Sequence, residues 1–540
     1  MTRAMKEPPE TLVERLADPG FTPRLREVDA LVDLLPDDEH AKAAARAIGR
    51  VGPAALGPLR ARFEAAVPPL RAHVLAAIGR FPGEAAAVEI LLAALGDADP
   101  KTRRNAGIAL GHVPGDVPGH ERVEDALVAA WATDPRPPMR RTIAAALGKV
   151  GSARSLPLLR EAAQDDDAEL VRVADKALVM LERTVSRVTP SRIASGRAAP
   201  RPVDLRVLVR RGLEETLAGE LASVAAVVDM RIEGAGVVRA RLAGSIDALF
   251  AARTMLGFGF PLSTETRRGT EPSSETIARA VTSDAARAVL AAWTEGAVRY
   301  RIAWADGGHQ RSATWETASA VAARAAEKGL DFVNDPTAST WEFLVARRED
   351  AVDVTLEPRA LTDPRFAWRR GDVPAASHPT IAAALARVAG ARADDVVWDP
   401  FAGSGAELVE RALLGPYRAL HGSDTDPRAI EVARENLAAA GVEARLEVRD
   451  VLAGAPAGVT LVITNPPMGR RAARAPGIDA LLDRFVAHAA AALAPGGRLV
   501  WLAPWPQRSR AAATGAGLEL DGARTVDMGG FDAELQRWVK

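Results

Sequence analysis

The sequence predicts a multidomain chain with an α-helical array first, a mixed α+β region next and a doubly wound α/β domain last. Three observations carry this. A short phrase, "AIG" or "ALG", recurs at Ala47, Ala77, Ala109 and Ala146. Beyond it, strand-like and helix-like segments mix. After Pro379, strands and helices alternate strictly, and the distinctive residues fall at strand ends. At 540 residues the chain exceeds a single core, since domains run to ~100–200 residues.

The phrase occupies Ala47–Gly49, Ala77–Gly79, Ala109–Gly111 and Ala146–Gly148, with a weaker echo, "ALV", at Ala177–Val179. Successive copies start 30, 32, 37 and 31 residues apart. A second helical stretch follows each, such as "SLPLLREAAQDDDAE". Self-similarity at this period points to stacked helix pairs. Small residues let neighbouring helices approach, and the glycine is expected to end the first helix of each pair. Residues 1–182 thus resemble HEAT-type repeats, with an irregular alanine-rich bundle as the alternative. Such repeats imply a protein partner or added RNA contacts.

Residues 183–203, "RTVSRVTPSRIASGRAAPRPV", hold five arginines, three prolines and no acid. They read as a basic linker, either a solvated hinge or a strap that contacts phosphates. From 204 to 350 the pattern is mixed. "LRVLVRRG", "GAGVVRARLAG", "VRYRIAWADGG" and "STWEFLVARR" are strand-like, and "LEETLAGELASV" and "WETASAVAARAAEKG" are helical. This predicts two small α+β units in tandem. "RGLEETLAGEL" and "GVVRARLAGSIDALFAARTMLGFGF" resemble the ferredoxin-like domain of THUMP-containing RNA methyltransferases. "NDPTASTWEFLV" resembles a divergent THUMP domain. Residues 351–378 read as a connector.

The segment 379–540 alternates strand and helix: "DDVVWDPF", "AELVERALLG", "YRALHGSD", "DPRAIEVARENLAAAG", "EARLEVRD", "VTLVITNPP", "GGRLVWLAP". Such sheets bind ligands at the carboxyl ends of their strands. In "DPFAGSG", Asp399 to Gly405, Gly403 and Gly405 allow close backbone approach to a ligand. The turn lacks the lysine of a phosphate-binding loop, so a triphosphate is not expected. Asp424 ends the second strand and suits ribose hydroxyls. Asp450 ends the third and suits an adenine amine. Each acid alone would read as a solvated strand-end residue, but three in order at successive strand ends outline a nucleoside site.

Next comes "TNPPMG", Thr464 to Gly469. An exocyclic base amine is a poor nucleophile because its lone pair is delocalised. The Asn465 side-chain carbonyl and the Pro466 backbone carbonyl can accept the two amine hydrogens. That draws the nitrogen toward tetrahedral geometry, and the pair Pro466–Pro467 stiffens the turn. "DPFAGSG", "GSDTDPRAIEVARENL", "VRD" and "TNPPMG" together resemble the S-adenosylmethionine-dependent amino-methyltransferases. The branch with THUMP-type RNA guanine-N2 methyltransferases of tRNA and rRNA is the nearest in pattern. The resemblance implies a Rossmann-like class I methyltransferase fold. It implies S-adenosylmethionine held by Asp399, Pro400, Phe401, Ala402, Gly403, Ser404, Gly405, Asp424 and Asp450, with Asn465, Pro466, Pro467 and Met468 at the target amine. The family has an aromatic residue where this chain has Met468. Phe401, Trp505 or Trp368 would be the rings available to stack on a base. Arg470, Arg471, Arg474, Arg508 and Arg510 read either as phosphate contacts or as solvated loop residues.

Composition narrows the classes. There is no cysteine, which removes disulfides, thiolate metal sites and a cysteine nucleophile. The eight histidines show no metal-ligand spacing, so no metal is expected. With 69 basic and 70 acidic residues the net charge is −1, and an RNA partner must be met by local basic patches. No apolar run approaches the roughly 20 residues of a membrane span, and the charged N-terminus lacks a signal-like segment. A cytoplasmic protein with no membrane partner is expected. The leading expectation is RNA methylation at guanine N2. The alternatives are adenine N6 or cytosine N4 of DNA, a protein glutamine amide, or a HEAT-repeat scaffold with an inactive methyltransferase domain.

Overall fold

Alanine-rich segments with an apolar residue every third or fourth position fold first into short helices. The computed structural model describes residues 12–18, 20–37, 39–262, 264–266, 271–308, 310–374, 376–468 and 477–540. The chain divides into two units, Met1–Pro190 and Ser191–Lys540.

The first unit holds α1 (Leu12–Leu16), α2 (Val28–Asp33), α3 (Ala41–Val51), α4 (Leu56–Ala65), α5 (Leu70–Ile78), α6 (Ala85–Ala94), α7 (Pro100–Leu110), α8 (His120–Thr133), α9 (Pro137–Val150), α10 (Leu156–Ala162) and α11 (Ala168–Ser186). Helices α3, α5, α7, α9 and α11 stack in one file, and α4, α6 and α8 in a second. The recurring phrase lies along the first file. A Cβ on Gly79 would sit 2.7 Å from Ala109 Cβ, on Gly111 3.0 Å from Ala146 Cβ, and on Gly148 2.6 Å from Ala177 Cα. Each of these three glycines therefore faces the first alanine of the next phrase, including the weak echo at Ala177, whereas Gly49 meets the Arg80 side chain. Gly79 and Gly111 cap α5 and α7 as expected. Gly49 and Gly148 instead lie inside α3 and α9, which run on to Val51 and Val150. What the repeats share is close helix approach, not the chain turn.

The second unit opens with β1 (Ser191–Ile193), β2 (Val203–Leu208), α12 (Glu214–Ala222), β3 (Val227–Gly234), β4 (Val237–Leu242), β5 (Gly257–Pro261), β6 (Glu265–Thr266), α13 (Ser273–Val281) and α14 (Asp284–Trp293). There follow β7 (Thr294–Gly296), β8 (Val298–Trp304), α15 (Arg311–Glu327), β9 (Phe332–Asn334), β10 (Trp341–Arg347) and β11 (Ala351–Pro358). One sheet runs through both expected α+β units in the order β3-β4-β2-β5-β11-β10-β8-β9, with β6 also on β11. Residues 351–358, expected as the start of a connector, are the strand that joins the halves: Leu356 pairs with Phe260. Its buried residues alternate, as a half-covered strand requires. The expected linker is also partly structured. Its start belongs to α11, and Ser191–Ile193 pairs with β7. Arg192 and Arg197 both form ion pairs with Glu295.

The last part comprises α16 (Pro379–Ala389), β12 (Val396–Asp399), α17 (Ala406–Leu414), β13 (Ala419–Asp424), α18 (Pro427–Ala439), β14 (Arg445–Val448), β15 (Val459–Thr464), α19 (Ile478–Ala492), β16 (Leu493–Ala503), α20 (Pro506–Gly515), β17 (Glu519–Asp527) and β18 (Asp532–Val539). The sheet order is β14-β13-β12-β15-β16-β18-β17. β12 to β16 run parallel, and β18 is antiparallel to both β16 and β17. Strand order reverses between β12 and β15, where such a sheet opens a crevice for ligand. Among the described residues no helix is long and apolar enough to cross a membrane.

Candidate active site

The apolar run "VVW" forces β12 into the sheet centre and carries Asp399 to its carboxyl end, fully buried. Asp399 Oδ1 accepts from Thr464 Oγ1 at 2.6 Å and from the Phe401 amide at 3.2 Å. Its Oδ2 is buried without a partner. The turn that follows needs left-handed backbone at Gly403 (φ 50°) and Gly405 (φ 79°). A Cβ on Gly405 would also press on Ala433 of α18 at 3.2 Å. The turn therefore tucks under α18 and starts α17. Asn436 of α18 is fully buried and donates to the Ser404 carbonyl at 2.9 Å. Ser404 Oγ is buried with no partner.

Asp424 ends β13, half-buried. Its Oδ2 accepts from the Gly403 amide at 3.0 Å, and its Oδ1 from the Asp426 amide at 3.0 Å. Strand and glycine turn are thus tied directly. Asp450 lies two residues beyond β14, exposed, and its Oδ1 accepts from the Leu452 amide at 2.8 Å. The three acids stand at the ends of three neighbouring strands, in the expected order.

Beside them, β15 delivers Thr464 and Asn465 to the same edge. Asn465 Nδ2 donates to Ser377 Oγ at 2.8 Å, and its Oδ1 is buried without a partner. Pro466 is buried, Pro467 exposed, and Met468 half-buried against the main core. Arg470, Arg471 and Arg474 lie outside the described residues. Arg508 pairs with Asp479 and Asp483, and Arg510 with Glu534. Those two arginines are engaged within the domain, because α20 packs beside α19 and β18. Of the three candidate rings, Phe401 packs edge-on against Phe485 (centroids 5.2 Å apart) and Trp368 is buried. Trp505 is exposed at the start of α20, beyond the carboxyl end of β16.

Two acids and a serine escaped the sequence reading. Glu407, in the first turn of α17, is buried and hydrogen-bonded to Ser377, which also meets Asn465. Burial pushes the Glu407 carboxyl up to about 7, against the Ser377 hydrogen bond, which favours the charge. Burial raises Asp399 as well, and the nearby Glu407 charge adds to it. Glu410, one turn on, is held by Arg253 Nε and Nη2 from the middle region. "AELVER" gave no sign that its acids face inward. Ser377, just before α16, is the residue that meets both Glu407 and Asn465, and nothing in its local sequence marked it.

Residues 367–532 match the family model described as the RMKL-like methyltransferase domain, and residues 28–111 and 88–178 match HEAT repeats. Over 157 residues the chain is 36% identical to a tRNA (guanine(6)-N2)-methyltransferase of Thermus thermophilus, across 28% of this chain and 46% of that protein. Over 136 residues it is 33% identical to a tRNA (guanine(10)-N2)-dimethyltransferase of Methanothermobacter thermautotrophicus, across 24% of this chain and 39% of that protein. The chain spans less than half the length of each relative. The crystal structure of TrmN from Thermus thermophilus aligns with a TM-score of 0.50 at 24% identity, covering 62% of this chain and 99% of that one. The N-terminal unit is a HEAT-like helical array, and the C-terminal domain has a methyltransferase-like α/β fold.

Proposed function

We propose that the chain methylates an exocyclic amine of an RNA base, with guanine N2 of tRNA as the favoured target and S-adenosylmethionine as donor. One observation carries the reading: Asn465 is pinned through its amide nitrogen while its buried carbonyl oxygen has no partner. An orphaned buried acceptor costs about 1–3 kcal/mol, and an amine donor satisfies it. The names of the tRNA guanine-N2 relatives support the same target.

The residues fit the donor. Asp399 Oδ2 and Ser404 Oγ are buried polar atoms awaiting partners. Asp399 and Glu407 form an acid pair that favours a cationic or hydrogen-bond-donating group, as the amino-acid end of the donor provides. Asp424 keeps open lone pairs for ribose hydroxyls, and Asp450 stands where it would meet an adenine amine. When bound, S-adenosylmethionine supplies a methyl group on a sulfonium centre. Asn465 Oδ1 and the Pro466 carbonyl accept the two hydrogens of the target amine and turn its lone pair out of conjugation. Pro467 stiffens this corner. Ser377, bonded to both Glu407 and Asn465, fixes the amide orientation. Met468 offers a polarizable surface to the base.

The middle sheet would act as a ferredoxin-like and THUMP-like RNA-docking region. The likeness to TrmN supports this, since 62% of the chain takes in more than the α/β domain. The test is methyl transfer by the purified chain to a tRNA transcript, followed by nucleoside mass spectrometry. N2-methylguanosine is expected. Asn465→Ala should lower transfer by about 10²–10³-fold while leaving donor binding intact by calorimetry. Methyl found only on DNA bases or on glutamine would overturn the RNA reading.

A further inference from the structure

Net charge hides a separation within the helical unit. Residues 1–190 carry 26 lysines and arginines against 27 aspartates and glutamates. Yet one face of the unit is basic. Two adjoining hollows of about 740 and 440 Å³ lie along α3, α5, α7 and α9 and share Ile108 and His112. Their lining includes Arg46, Arg80, Arg104 and Lys149, and Glu169 is its single carboxylate. Glu169 is itself bound to Arg172.

These cations are exposed, and among the described residues none of the four has a carboxylate partner. Lys149 Nζ instead lies 2.9 Å from His112 Nε2. His112 Nδ1 sits 2.8 Å from the Ile108 carbonyl and must donate to it. Nε2 then presents its lone pair to the ammonium. That contact orients the lysine without cancelling its charge. The other file of helices behaves differently. There Arg60 pairs with Glu64 and Arg122 with Glu89. Inter-repeat arginines are neutralised too: Arg71 by Asp97, Arg103 by Asp134 and Arg141 by Asp167. Along the groove, by contrast, Arg46, Arg80, Arg104 and Lys149 stand without a carboxylate partner among the described residues.

We infer that this groove holds a phosphate backbone of RNA. The inference rests on the RNA reading above. Three of its four free cations are arginines, whose planar forks match phosphate oxygens. An acidic protein segment would be the competing occupant. The stripe crosses four successive helices of the file, as a polyanion of repeated charge requires. Contacts of this kind carry affinity and salt dependence rather than sequence preference.

The test uses the full chain and a fluorescent tRNA transcript, with anisotropy measured over a salt series. The variant combines Arg46→Ala, Arg80→Ala, Arg104→Ala and Lys149→Ala. Its RNA affinity should fall at least about tenfold, and the slope of log affinity against log salt should flatten by about 3–4. Donor binding and far-ultraviolet circular dichroism should stay unchanged, since all four side chains are exposed. Equal affinity and slope for variant and wild type overturn the groove inference and leave the RNA reading standing. A wild type that binds donor but no RNA overturns both. Binding of polyglutamate in preference to RNA, lost in the variant, assigns the groove to an acidic protein and also overturns the inference.

Discussion

β12 carries a buried aspartate at each end, and the two are treated in opposite ways. Asp395 precedes the strand and Asp399 closes it, and both are fully buried. Asp395 accepts from Arg498 Nη1 and Nη2 at 2.8 Å each and from Arg411 Nη2 at 2.6 Å. Thr460 and the Arg392 amide fill its remaining positions. Burial pushes its pKa up, but the two guanidinium groups outweigh burial and hold the carboxyl well below the usual range. Asp399 has one hydroxyl, one amide, a bare oxygen and an acid for a neighbour, and its pKa rises. Neither carboxyl is open to solvent; Asp399 lies deeper, where burial dominates, while two guanidinium partners reverse the sign at Asp395. The amino end of the strand is electrostatically complete, while the carboxyl end awaits something from outside the chain.

The largest expected effect tests the complete end. Asp395→Asn would leave Arg411 and Arg498, both fully buried, without their counter-charge. Loss of one partner from a buried ion pair costs about 3–5 kcal/mol, so chemical denaturation should show a drop of that order for the α/β domain. A loss under about 1 kcal/mol would mean the carbonyl acceptors around both arginines carry the network alone. The same change at the other end should act differently. Asp399→Asn removes a charge the fold does not want, so stability should hold or rise. Donor affinity should fall by about 1.5–3 kcal/mol, the worth of a hydrogen bond to a charged group, as read by calorimetry. If Asp399→Asn destabilises as much as Asp395→Asn, the contrast between the two ends is wrong.

The sequence showed one of these ends and not the other. Asp399 was legible because an apolar run, a glycine turn and later strand-end acids surround it in order. In "ADDVVWDP" nothing distinguishes Asp395 from Asp394, because its partners come from α17 and β16, far along the chain. Glu407 was illegible for the same reason. "AELVER" places it on a helix, but its burial depends on Ser377 and the segment before α16. β11 was missed although it forms a hairpin with the adjacent β10; only its pairing with β5 reaches the other expected unit. Local pattern revealed helices, strands and the binding turn. Pairing across long separations, which also consumes Arg508 and Arg510, needed the structure. The glycines of the repeat show a middle case: their period was plain, but their contact with the next alanine was not.

The smallest expected effect separates the two ends by pH. Glu407 has a folded-state pKa of about 7 against an ordinary value of 4.5. Between those values the folded chain binds a proton that the unfolded chain has lost. Its contribution to stability is therefore full below about 4.5 and declines as pH rises toward 7. Asp395 works the other way: its contribution is present above 3.8 and is lost as pH falls below that value. Glu407→Gln keeps the hydrogen-bonding shape and removes the titration. Thermal unfolding of the donor-free chain should then show a smaller loss between pH 4.5 and 7 than wild type. The acid limb governed by Asp395 should be unchanged. Because Asp399 and Glu407 repel one another, they titrate as a pair, and Asp399→Asn should flatten part of the same limb. If neither substitution alters it, the proton is bound elsewhere and the carboxyl end of β12 is not the acid-rich site described.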